Sequence, residues 1–220
     1  MLIKQFNCIE GKNVDLRQAN AVLKYKPNII IQEAPSNSKI SDSVFNKYSP
    51  ANKPLYELKK IRADLKHTAK KYPWVLSVIY VFENIKKLWE SGHDVKIYNV
   101  DAPSELLRQT LINKWNVIKG PHRRGTHLIW WAYIYLRELM MTKYVSKILA
   151  KNKNKKDLTM LIFMQKFHWR NVQFQLLHPQ KDIIWKYYFG KFKNLSPKDV
   201  EKIIKKENPV LYKYWKELVK

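Results

Sequence analysis

Between Pro27 and Pro35 the chain reads Asn-Ile-Ile-Ile-Gln-Glu-Ala. Three β-branched residues in a row between prolines are too few for a helix and predict a short buried strand over residues 29–31. Glu33 then falls at the strand's carboxyl end. Upstream, residues 1–8 read as a strand closed by the turn Glu10-Gly11-Lys12. Val14, Leu16, Ala19, Val22 and Leu23 follow at near-helical spacing, with Asp15 where a negative charge suits a helix amino terminus. Strand, helix and strand make a βαβ unit, whose right-handed crossover sets both strand ends on one sheet edge. Helical periodicity returns over residues 74–91, Gly92 is placed to close that helix, and the alternating run 95–100 predicts a strand that delivers Asp101 to the same edge. A further strand over 158–163 precedes His168.

The remaining segments read as helix or connector. Residues 36–54, rich in Ser, Asn, Lys and Pro, predict a long loop or lid, and 55–71 a basic helix. Pro103, with Ser104 and Glu105 behind it, starts a helix running toward Trp115. Residues 120–125, Gly-Pro-His-Arg-Arg-Gly, form a compact basic loop before a long helix over 127–150, and 151–157 is a solvated connector. Ser196-Pro197-Lys198-Asp199 is a helix start. The fold class is therefore α/β, a central, mostly parallel sheet flanked by helices. A single α/β domain is expected over residues 1–192, with a helical insertion at about 103–150, followed by a basic aromatic helical tail at 193–220.

Composition narrows the partners. The 220 residues carry 42 Lys and Arg against 18 Asp and Glu, a net charge of +24 that draws phosphate-rich or acidic molecules. The plain alternative is lysine scattered over solvated faces. Aromatics interleaved with lysine at 185–188 and 212–215 suit nucleic-acid grooves, but suit better a helix that packs its rings inward and extends its lysines outward. Cys8 is the only cysteine, which rules out an intrachain disulfide or a multi-cysteine metal site and agrees with a reducing, cytoplasmic setting. The first residues lack the apolar region of a signal peptide, and the greasiest run, 128–136, is well short of the roughly 20 residues that cross a bilayer. A soluble chain is expected, one able to touch a membrane surface. A second copy of the chain is a candidate partner.

Chemistry concentrates at the strand ends. Glu33, Asp101 and His168, with Glu10 from the first turn, are carboxylates and an imidazole able to share acid and base work on a water molecule or to bind one divalent metal ion, for which Glu10, Glu33 and His168 are the candidate ligands. Against this stand a hydrogen-bonded structural histidine at 168 and a turn or cap role for Asp101 before Ala-Pro. Arg123 and Arg124 suit bidentate recognition of a phosphate or carboxylate, or belong to a solvated loop. Arg137 and Glu138 interrupt an apolar helix, so they are expected to be paired with each other or with site groups, Arg137 with Glu33 or Asp101, unless that face is exposed. There is no GxGxxG, P-loop, GxSxG or HExxH, so nucleotide-binding and standard serine or zinc hydrolase readings lose support.

Taken in order, Lys26-Pro27-Asn28-Ile29-Ile30-Ile31-Gln32-Glu33, Gly92-His93-Asp94-Val95 through Asp101-Ala102-Pro103 with Leu107-Arg108, Arg137-Glu138-Leu139-Met140-Met141 and His168 resemble the TraB/PrgY group of the Tiki, ChaN and erythromycin-esterase superfamily. The order covers most of residues 1–178. The resemblance implies a hydrolase of amide or ester bonds, some members being metal-dependent. Glu33 would be general base or metal ligand, His168 ligand or general acid, and Arg137 and Glu138 substrate-orienting groups. The chain departs from the pattern at the first GxxH motif, where Cys8-Ile9-Glu10-Gly11 has no histidine, and at the second, where Gln165 stands for glycine. A degenerate site follows, and with it an alternative: a non-catalytic basic protein that binds nucleic acid or another polyanion.

Overall fold

The computed structural model describes residues 1–7, 15–35, 75–103, 105–107, 124–192 and 195–219. Strand β1 (Leu2–Phe6) leads to helix α1 (Arg17–Tyr25), β2 (Ile29–Pro35), α2 (Val75–Glu90) and β3 (Lys96–Asp101). After these come the long α3 (Arg124–Asn152), β4 (Thr159–Phe163), α4 (Lys166–Leu177), α5 (Lys181–Phe189), α6 (Pro197–Glu207) and α7 (Pro209–Leu218). The four strands form one parallel sheet in the order β1-β4-β2-β3. The α/β class expected from the hydrophobic pattern is the one observed.

The last strand in sequence lies between the first two. Leu2 pairs with Thr159 and Phe6 with Phe163 on one side of β4, and Ile29 pairs with Met160 and Gln32 with Phe163 on the other. The isoleucine run is β-branched throughout because both sheet faces are closed at this position: Ile29, Ile30 and Ile31 are buried, as are Met160, Leu161 and Ile162. Over one face, Ala19, Ala21 and Val22 of α1 and Val81, Ile85 and Leu88 of α2 cluster with Ile30, Leu161 and Phe163.

The described chain divides into two compact units, residues 1–100 with 149–169, and 101–148 with 170–220. The first holds the sheet with α1 and α2. The second is helical, with a core built from Leu128, Ala132, Tyr133 and Leu136 of α3, Tyr188 and Phe189 of α5, Val200 and Ile204 of α6, and Leu211 and Trp215 of α7. Its aromatics face inward: Tyr135 contacts Trp185, Tyr188, Phe189 and Trp215 with ring centroids 5.1 to 6.3 Å apart. Lysine extends outward from the same segment, Lys186 and Lys216 being exposed. For those rings the packing expectation holds.

Several local expectations are met and some move. α2 ends as foreseen at Gly92, whose φ of +82° suits a residue without Cβ, while His93 N donates to the Leu88 carbonyl at 2.9 Å. Ser196 and Asp199 form the reciprocal capping box that opens α6. Asp15 accepts from Arg17 N at 2.9 Å at the start of α1, and its carboxyl is held below the usual range chiefly by the Arg17 side chain. β2 runs on to Pro35, so Glu33 stands within the strand rather than beyond it, and β3 includes Asp101. α3 begins at Arg124, inside the stretch expected as loop, because Gly125 does not break it. His168, expected just past the end of the strand, lies in the first turn of α4. The expected lid at 36–54, the helix at 55–71, most of the helix after Pro103, and Cys8, Glu10 and Arg123 lie outside the described residues.

Candidate functional site

Strand register decides what meets at the carboxyl edge of the first unit. Phe6 and Gln32 flank Phe163, so Asn7 and Glu33, one step further on, flank the chain as it leaves β4 for α4. Helix amino termini leave backbone N–H groups without intrahelical partners. Here two strand ends supply acceptors: Glu33 Oε2 takes Gln165 N at 2.7 Å, and Asn7 Oδ1 takes Lys166 N at 3.1 Å. A carboxylate at this position also complements the helix dipole. Asn7 is fixed in turn, its Oδ1 also accepting from Gln5 Nε2 and its carbonyl from Gln18.

The other carboxylate oxygen faces the histidine. His168 Nε2 lies 3.7 Å from Glu33 Oε1, and both side chains are nearly closed to solvent at 4% and 5% exposure. That separation is too long for a direct hydrogen bond but short enough for a strong charge interaction whenever the ring is protonated. Phe167 sets its ring edge to His168 at 5.4 Å. One turn of α4 thus carries both the capped backbone and the imidazole. A carboxylate close beside an imidazole favours the ring's positive charge, which suits acid and base work.

Arg137, Glu138 and Asp101 belong to the second unit. Arg137 pairs with Asp101 through two bonds, Nε to Oδ1 at 2.7 Å and Nη2 to Oδ2 at 2.6 Å, with side-chain exposures of 14% and 4%. Asp101 Oδ1 also accepts the N–H of the next residue, Ala102, at 2.7 Å. Asp101 is one of the partners expected for Arg137.

Glu138 is fully buried and sits in a polar network. Asn171 Nδ2 donates to both its oxygens at 2.9 and 3.0 Å, and the Tyr188 hydroxyl makes a close contact with Oε2. Gln175 Nε2 donates to the Tyr188 oxygen at 2.8 Å, and the Tyr187 hydroxyl donates to Asn171 Oδ1 at 2.7 Å. Burial, then the Glu138 charge, holds the Tyr188 phenol protonated far above its ordinary range. Charge-assisted bonds of this kind are what allow a carboxylate to be buried.

Of the sequence candidates, Glu33 and His168 are thus brought together in one unit, and Asp101 is tied to Arg137 in the other. Arg124 opens α3. Among the described residues no group of three His, Cys, Asp or Glu is placed to hold a metal ion. Glu33 and His168 offer two donor groups, and one Glu33 oxygen is already spent on Gln165 N. These two do not make a metal site by themselves. Asn7, Asn171, Gln175, Tyr187 and Tyr188 were not among the candidates. Asn171 and Gln175 stand four apart, the spacing of one helix face, and Asn7 had only its place at a strand end. No family model matches the chain, and no curated protein and no solved structure matches it.

Proposed function

We propose that the chain is a hydrolase of the TraB, Tiki and erythromycin-esterase kind, acting on an amide or ester bond, with Glu33 and His168 as its working pair. The observation that carries this reading is the burial of His168 Nε2 3.7 Å from a carboxylate whose other oxygen is locked to a helix amino terminus. His168 would take a proton from water as the water oxygen bonds to the carbonyl carbon. The same proton would pass to the departing alkoxide or amine as the carbon–heteroatom bond breaks. Glu33 would offset the ring's transient positive charge. This assigns the base to His168 rather than Glu33, since Glu33 is committed as a cap. Turnover needs a water and a carbonyl admitted beside the ring.

The test is turnover of a panel of aryl esters and anilides by the wild type and by His168→Ala and Glu33→Gln. Removing a general base is expected to lower kcat by about a hundredfold or more. Equal rates for wild type and His168→Ala, with both folded, would sink the reading.

The net charge of +24, with Glu33 already serving as a cap, favours a second reading: a non-catalytic chain that binds nucleic acid or another polyanion. Its mark is affinity that falls steeply as salt rises. Weak binding at low salt, or affinity that is flat with salt, would remove it.

A further inference from the structure

We infer that the turn joining α4 to α5 docks on an anionic lipid surface, independently of whether the chain is a hydrolase. Residues 177 through 183 are all exposed. Among them Leu177 is 75% exposed and Ile183 38%, and Tyr187, one turn beyond Ile183, is 45% exposed. A helix pair in water is expected to turn polar residues outward. Here Ile184, Tyr188 and Phe189 already fill the inner side of α5, so the outward apolar residues have no core left to join.

Charge selects the partner. Ile183, Lys186 and Tyr187 share one face of α5, and Arg170, Phe174 and Leu177 share one face of α4. Tyr187 and Phe174 stack at 4.3 Å, which joins the two faces. Arg170, Lys181 and Lys186 are exposed on these helices, whose sequences contain a single acidic residue, Asp182, in a chain of net charge +24. Cations around protruding aliphatic side chains, with a tyrosine at the margin, match lipid phosphates over an acyl boundary.

A single-stranded nucleic acid would use the same cations but needs open ring faces. Those are largely taken. Phe174 contacts Tyr187 at 22° between planes and His178 at 4.8 Å, while the Tyr187 hydroxyl is bound to Asn171. What remains outward is mainly aliphatic, which a bilayer accommodates and bases do not.

The experiment is flotation of the full chain with phosphatidylcholine–phosphatidylserine vesicles and with phosphatidylcholine alone. Leu177 and Ile183 are exposed, so L177D/I183D is expected to fold, which circular dichroism checks. K181E/K186E tests the cations. The wild type is expected to float with the anionic vesicles, to float poorly with the neutral ones, and to be released by salt. L177D/I183D is expected to lose at least about tenfold in partitioning, and K181E/K186E roughly fivefold per charge. Wild type that does not float, or L177D/I183D floating as well as wild type, overturns the inference. So does tight capture of an oligothymidylate that Tyr187→Ala abolishes and L177D/I183D leaves intact, which would assign the surface to nucleic acid.

Discussion

Replacing Glu33 by alanine separates its structural role from any catalytic one. The carboxylate is 5% exposed and accepts Gln165 N at 2.7 Å. A hydrogen bond to a charged group contributes about 1.5 to 3 kcal/mol, and the buried N–H left behind costs about 1 to 3 kcal/mol. These overlap rather than add, so Glu33→Ala is expected to destabilise by about 3 kcal/mol. Glu33→Gln keeps a carbonyl acceptor for Gln165 N and loses only the charge, so about 1 kcal/mol is expected. A cycle with His168→Ala should show a coupling of about 1 kcal/mol between the two side chains. The assay is urea unfolding followed by tryptophan fluorescence, with unchanged denaturant slopes showing that the variants unfold between the same states. If Ala and Gln cost the same, each under about 0.5 kcal/mol as at an ordinary surface position, the cap does not hold α4. The reading of the strand ends would then be wrong.

In the second unit, Arg137→Met strands the nearly closed Asp101 carboxylate and is expected to cost about 3 to 5 kcal/mol. Asp101→Asn should cost less, because the more exposed guanidinium still reaches water, and urea midpoints read the difference. Tyr188→Phe removes the hydroxyl between Glu138 and Gln175 and should lower stability by about 1 to 3 kcal/mol by the same assay. Burial holds the Tyr135 phenol protonated up to about 12. The folded chain therefore keeps this proton where the unfolded chain, near 10, has lost it, so the contribution is whole below pH 10 and is lost as pH rises toward 12. It amounts to about 3 kcal/mol, and Tyr135→Phe should flatten that part of the alkaline unfolding curve.

The strands were legible because their signal is local. Three isoleucines between prolines leave few alternatives, and β-branched content in a run of that length identifies a strand buried on both faces. The helix ends at Gly92 and Ser196 were legible for the same reason, since a positive φ and a capping box are set within a few residues. What met what was not. Arg137 could be seen to need a carboxylate, but its choice of Asp101 depends on tertiary placement that spacing does not encode. Glu33 read as a strand-end carboxylate without any sign that it caps α4, because that role needs β4 beside β2, and the strand order is a long-range fact. Asn7 is the clearest case: an ordinary residue in sequence, it becomes a cap only because β1 borders β4 on the other side. Glu138, by contrast, announced itself as a charge in an apolar helix, and Asn171 and Tyr188 are what that charge required.

The position of β4 also bears on how the chain is made. The amino group of Met1 donates to the carbonyl of Lys156, 155 positions away, and β1 and β2 meet in the sheet only through β4. On the ribosome the first two strands emerge long before the one that pairs with both, so β1 has no partner in this sheet until residues 159–163 follow. Loop closure over such distances is slow, and open strand edges invite foreign strands. A nascent chain arrested before residue 159 should therefore be the form most in need of a chaperone, and release should be followed by a single late step in which the sheet closes.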